Sequence, residues 1–201
     1  MVYFKTYLSL SSFSVHWVYN LNMRIVGVGG TLRKGSYSKA LLLEAQKLAP
    51  EGVVIEITEI GDFPLYNPDI PMPDSVQKFK NTIKEADAIL FSTAEYNYSI
   101  PGALKNAIDW GSRPYGDNSW ENKPVAMMSE SIGMLGGVKA QYHLRQTMLF
   151  TNMHPLNRPE VIVGMVKEKF DEQGNLTDEH TKEKIKELIQ ALVVWAERLK
   201  E

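Results

Sequence analysis

The stretch from Met23 to Ser38 constrains the chain most: Met-Arg-Ile-Val-Gly-Val-Gly-Gly-Thr-Leu-Arg-Lys-Gly-Ser-Tyr-Ser. Arg24 to Val28 is a short apolar run, β-branched at Ile25, Val26 and Val28, and suits one strand buried on both faces. It breaks at Gly29-Gly30, a polar loop follows, and an apolar-periodic helix starts near Ser38. Strand, small-residue loop and helix N-terminus together make an anion site, because free amide N–H groups and the helix dipole point the same way. Thr31, Ser36 and Ser38 add hydroxyls and Arg33 adds a fixed cation.

Three phosphate loops compete for this stretch. The dinucleotide pattern G-x-G-x-x-G starts at Gly27 and Gly29 but meets Leu32 where its third glycine belongs. The triphosphate pattern G-x-x-x-x-G-K-[ST] fits Gly30 and Gly35, yet Ser36 stands at the lysine position. What remains is a hydroxyl-and-arginine loop suited to one terminal phosphate monoester. An ordinary small-residue turn between strand and helix is the competing reading of this stretch alone.

Downstream, short apolar runs alternate with helical periodicity. Leu41, Leu42, Ala45, Leu48 and Ala49 recur at helical spacing, closed by Pro50-Glu51-Gly52. Val53–Ile57, Ala88–Thr93 and Pro124–Met128 read as strands, with a weaker one near Val161–Val163. Residues 61–74 form a proline-stiffened loop, and Asp74 or Ser75 is expected to cap the helix carrying Val76, Phe79, Ile83 and Ala86. Pro101-Gly102 opens another helix, Val138–Phe150 is a further one, and a last helix begins after Thr177. The alternation predicts an α/β fold with a doubly wound parallel sheet. Ligands of such sheets lie outside the carboxyl ends of the strands, which selects three loops: Gly30–Ser38, Ala94–Gly102 and Ser129–Gly137.

The second loop places Tyr96 and Tyr98 around Asn97 at a strand end, giving flat apolar faces for an aromatic heterocycle and a residue tolerant of a left-handed turn. A turn with structural tyrosines is its alternative reading. The third loop has three glycines and two serines, which lets backbone approach a planar ligand, with Ser131 as a hydrogen bonder.

Composition narrows the function. A net charge of −2 and the lack of a Lys/Arg cluster leave no field for nucleic acid. With no cysteine, thiolate catalysis, disulfides and zinc–thiolate sites are excluded, in keeping with a cytoplasmic location. The four histidines have no ligand spacing, so no metal centre is expected. No stretch approaches the ~18 apolar residues of a membrane span. Residues 1–22 carry no motif and read as an extension or an upstream start, with residues 23–201 forming one domain.

With the loops in view, Met23 to Lys200 resembles the NADPH-dependent FMN reductase family, in its branch of soluble quinone, chromate and azo-dye reductases. Gly-Thr-Leu-Arg-Lys-Gly-Ser (30–36) is similar to that family's G-S-x-R-x-x-S, with Thr31 in place of serine. Glu95-Tyr-Asn-Tyr-Ser-Ile-Pro-Gly, continuing through Leu104-Lys-Asn-Ala-Ile-Asp-Trp110, is very specific to it, although Ala94 replaces the usual proline. Gly136-Gly137 and Gln141-Tyr-His-Leu-Arg-Gln146 resemble it too.

The resemblance implies a flavodoxin-like, five-stranded sheet with helices on both faces, bound FMN, and NADPH or NADH as donor. Quinones, and by extension chromate or azo compounds, are the implied acceptors, and a homodimer or homotetramer the implied assembly. By position, Thr31, Arg33, Ser36 and Ser38 would hold the FMN phosphate, Glu95, Tyr96, Asn97 and Tyr98 would line the ring, and Ser131 and Gly133 would meet its other edge. No side chain is expected to be catalytic, because FMN carries the chemistry in a ping-pong, two-electron transfer. The alternative is a flavodoxin-type FMN carrier without turnover of its own. Such carriers are usually strongly acidic, which this chain is not.

Overall fold

Every residue of the strands Ala88–Ala94 and Pro124–Glu130 is buried, as apolar runs covered on both faces require. These two strands form the middle of the sheet in the structure, a computed structural model that describes residues 22–200. The expectation for the N-terminal extension therefore falls, apart from Asn22, outside the described residues.

In chain order the elements are β1 (Met23–Gly29), α1 (Tyr37–Leu48), β2 (Val53–Thr58), α2 (Asp74–Glu85), β3 (Ala88–Ala94), α3 (Gly102–Gly111), β4 (Pro124–Glu130), α4 (Val138–Thr151), β5 (His154–Pro155), β6 (Val161–Val163) and α5 (Glu179–Arg198). All strand pairs are parallel, in the order β2-β1-β3-β4-β5, with β6 also on β4. The expected fifth strand thus exists in two pieces. β5 pairs with Pro124 and Val125, and β6 with Met128 to Glu130. Between them the chain leaves the sheet, and Pro159 there has no N–H to give a ladder.

Side chains alternate across the sheet and build two cores. Ile25, Leu90 and Met128 face α1 and α5, packing with Leu41, Leu42, Ile185 and Leu192. Val26, Phe91 and Met127 face α2, α3 and α4, packing with Phe79, Leu104, Trp120 and Leu144. No helix of the described residues is long and apolar enough to cross a membrane.

One expected helix cap differs. α2 starts at Asp74 with Pro73 in the cap position and no side chain accepting from its first turn. Proline fixes the entering φ without needing a partner, and Asp74 then complements the dipole from inside the helix. At α5 the cap is a side chain. Asp178 accepts from the Thr181 N–H at 2.9 Å and pairs with Lys169 Nζ at 2.8 Å.

Those bonds, from Lys169 foremost and from Thr181, hold the Asp178 carboxyl down to about 2 from its ordinary 3.8. An acid with a lowered folded-state value stabilises the fold above its ordinary range and loses that contribution as pH falls toward 2. Asp178→Ala is expected to cost about 1 kcal/mol at neutral pH by urea denaturation, a cost that shrinks as the pH is taken below 3.8.

Candidate functional site

The first ligand loop leaves β1 where the Gly30 N–H bonds to the Ser92 carbonyl at 2.8 Å. A Cβ on Gly30 would stand 2.9 Å from Thr93 Oγ1, so the strand end and the loop can meet only at a glycine. Ser36 caps α1, its Oγ accepting from the Lys39 N–H at 3.2 Å and from the Thr31 hydroxyl at 2.5 Å. Thr31 and Ser36 are thereby held together over the first turn of the helix, and Arg33 stands exposed beside them, its guanidinium 5.9 Å from the Tyr37 ring.

In the second loop, Asn97 and Tyr98 both have left-handed backbone, with φ of 51° and 66°. Tyr96 and Ser99 exchange both backbone bonds across them, at 2.9 and 3.0 Å, which makes a two-residue hairpin turn of the primed type. Asn97 is suited to that conformation and Tyr98 is not, so the flanking bonds hold Tyr98 there. Glu95 reaches across to the third loop: its Oε2 accepts from the N–H groups of Lys139 and Ala140 at 3.1 and 3.4 Å. It caps α4, whose own cap residue Gly137 offers no side chain.

The third loop folds back on β4. Gly136 and Gly137 have φ of +59° and +83°, and a Cβ on Gly136 would lie 2.6 Å from the Ile162 side chain. Ser131 Oγ accepts from the Gly133 N–H at 3.1 Å. At the carboxyl end of β4 sits Glu130, 6 % exposed, its Oε1 accepting the Ser38 hydroxyl at 2.9 Å. Burial pushes the Glu130 carboxyl above the ordinary carboxylate range, against the opposing pull of the Ser38 hydroxyl, the Arg33 charge and the Ser38 N–H.

The three loops enclose one cleft of about 230 Å³ at the rim of the sheet. It is lined from the first loop by Thr31, Arg33, Ser36 and Tyr37, from the second by Glu95 and Tyr96, and from the third by Glu130, Ser131 and Ile132. Two roomier surface grooves, about 410 and 450 Å³, touch none of these glycine-rich turns, so convergent chemistry and not size singles out the cleft. It lies beside β1 and β3, where the strand order reverses, as a doubly wound sheet requires.

Comparison with known proteins gives the family. Residues 23–168 match the family described as NADPH-dependent FMN reductase. The chain belongs to this family. A relative from Pseudomonas aeruginosa named NAD(P)H-dependent FMN reductase is 46% identical over 182 residues, covering 89% of this chain and 98% of the relative. A protein from Solanum tuberosum named NAD(P)H:quinone oxidoreductase is 42% identical, covering 89% of this chain and 95% of its own. Among solved structures, the flavoenzyme FerB, an NAD(P)H:(acceptor) oxidoreductase from Paracoccus denitrificans, superposes with a TM-score of 0.81 at 38% identity, covering 88% of this chain and 98% of that one.

As an FMN reductase family member the chain offers a donor set that fits its cofactor. Two hydroxyls and a guanidinium line the cleft beside the N-terminus of α1, as a phosphate monoester needs. The half-exposed Tyr96 lines it from the second loop, with an apolar face for a ring. Six of the ten site residues expected from sequence line the cleft: Thr31, Arg33, Ser36, Glu95, Tyr96 and Ser131. The other four lie off its wall. Ser38 is fully buried beneath it and bonded to Glu130. Asn97 and Tyr98 stand on the exposed hairpin turn, with Lys139 Nζ 3.0 Å from the Tyr98 ring centroid. Gly133 is tied back to Ser131.

Glu130, Tyr37 and Ile132 escaped sequence reading. A lone acid ending an apolar strand was the available signal for Glu130. Several residues of the family-like stretches prove to be supports. Trp110 Nε1 and Asn106 Nδ2 both donate to the Pro64 carbonyl, pinning the proline-rich loop, and Gln141 Nε2 donates to Ser129 Oγ and the Val161 carbonyl.

Glu95→Ala should uncap α4 and lower the urea midpoint of the flavin-free protein by the equivalent of about 1 kcal/mol. Glu95→Gln, which keeps an acceptor, should restore most of it. Equal stability of Glu95→Ala and the parent would show that the carboxylate is not capping.

Proposed function

We propose that this protein is an FMN-dependent NAD(P)H oxidoreductase that passes two electrons to quinones and related acceptors in ping-pong order. One observation carries the reading: a hydroxyl–arginine loop on a helix N-terminus shares a single cleft with a tyrosine-bearing turn at the switch point of the sheet. Bound FMN supplies the two-electron chemistry.

The chain's own part is binding and positioning. Thr31 and Ser36, at the N-terminus of α1, hold a phosphate, and Arg33 neutralises it from the solvent side. Glu95 ties the second loop to α4, so that Tyr96 and Ser131 keep a fixed separation across the cleft. No nucleophile or acid–base pair is assigned, because the reaction as read asks the chain for orientation and electrostatics only.

Quinone reductase names among relatives, including one from Pseudomonas putida at 44% identity over 75% of this chain, support quinones as acceptors; chromate and azo compounds follow from the family resemblance. The exposed Leu149 and Phe150 on α4 support a homodimer or homotetramer. The absence of cysteine supports a cytoplasmic setting.

The test is steady-state kinetics of the FMN-loaded protein with NADPH or NADH and a series of quinones. Parallel double-reciprocal lines are expected. Intersecting lines would replace ping-pong order with a ternary complex, and no nicotinamide oxidation with any acceptor would make the protein an electron carrier. Arg33→Ala should weaken FMN binding roughly 10- to 100-fold, the worth of one charge-assisted hydrogen bond.

A further inference from the structure

Glu130 is an anion standing where an anion is to be bound. Its carboxylate lies at the N-terminal turn of α1, joined to Ser38, and lines the same cleft as Thr31, Arg33 and Ser36. The helix end that attracts a phosphate therefore already serves a carboxylate. The surroundings offer Glu130 little compensation. β3 and β6 flank it with Ala94 and Val163, and α5 packs behind through Ile185, Leu188, Ile189 and Leu192. Of the titratable groups that line the cleft with it, Arg33 and Tyr37 come from the first loop and α1, and Glu95 and Tyr96 from the second loop; Arg33 alone is cationic. A phosphate monoester, with a second pKa of about 6, brings nearly two negative charges to that single guanidinium.

Two neighbouring anions in a poorly hydrated site do not both stay ionised. The phosphate keeps its charge because hydroxyls, amides and Arg33 converge on it. Glu130, buried and held by one serine, is the group that takes up a proton.

We propose that Glu130 couples binding of the flavin phosphate to uptake of one proton from solvent, so that a neutral carboxyl stands beside the bound phosphate. The proposal rests on the FMN reading above and adds to it a residue that sets how tightly, and at what pH, the cofactor is retained. Glu130 is a positioning and charge-setting residue; it carries no part of the electron transfer. Burial already raises the carboxyl range of Glu130 in the flavin-free protein, and the uptake on binding comes from the further rise that the phosphate charge adds. By linkage, affinity for the phosphate falls as pH rises, by up to about tenfold per pH unit while the free protein is ionised and the complex is not.

The experiment is calorimetric titration of the flavin-free protein with FMN and with riboflavin, in buffers of different ionisation enthalpy, between about pH 7 and pH 9, where a phosphate with second pKa of about 6 is about nine-tenths ionised or more. FMN should bind with uptake approaching one proton, and riboflavin, which lacks the phosphate, with none. Glu130→Gln should bind FMN with no uptake and, at the alkaline end, about tenfold or more tighter than the parent. FMN binding by the parent without proton uptake, or the same uptake in Glu130→Gln, would overturn the proposal and leave the FMN reading standing. Failure of the parent to bind FMN at any pH would overturn both.

Discussion

Leu42 of α1 lies against the bare backbone of Gly27 in β1, where a Cβ would come within 3.2 Å of it. That contact brings the helix close over the strand, and the rest of the site follows from its direction. A helix seated on a parallel strand and entered from that strand's carboxyl end has its N-terminus at the rim. The rim is where the proposed phosphate site needs Thr31, Ser36 and the N-terminus of α1. β3 and β4, buried throughout, bring their own carboxyl ends to the same edge and deliver Glu95 and Glu130 there.

Two acids at that rim do opposite things. Glu95 spends its charge on a helix N-terminus across the cleft, bonded to Lys139 and Ala140, and so locks the second loop to the third. Glu130 faces the N-terminus of α1, the end proposed for the ligand phosphate. One carboxylate builds the frame, and the other stands where the proposed phosphate would meet it. This asymmetry arises from which helix each strand end faces, because β3 and β4 are adjacent and in register at Ala94 and Glu130.

Much of this was legible in the residues. Strand, glycine pair and helix around Gly30 announced the first loop because the pattern is local: the turn, its cap and its cation all fall within Gly30–Ser38. Asn97 was read as tolerant of a left-handed turn, and it adopts one. What depends on distant partners was not legible. Ser38, two residues past the capping Ser36, points into the protein toward Glu130, a partner 92 residues away. Tyr98 is held left-handed by bonds between its neighbours, with the Lys139 ammonium of α4 against its ring, which no propensity reveals. The divided fifth strand was half seen, since His154–Pro155 is too short to show a pattern. Trp110 and Gln141 sit in the stretches that carry the family resemblance, yet they act by holding loops in place.

The central claim is that a phosphate group anchors the cofactor at the N-terminus of α1. A crystal structure of the FMN complex tests it most directly. The account predicts the phosphate oxygens within hydrogen-bond distance, about 3 Å, of the Thr31 and Ser36 hydroxyls and the first-turn amides of α1. A phosphate bound elsewhere, with that turn left to solvent, would contradict it.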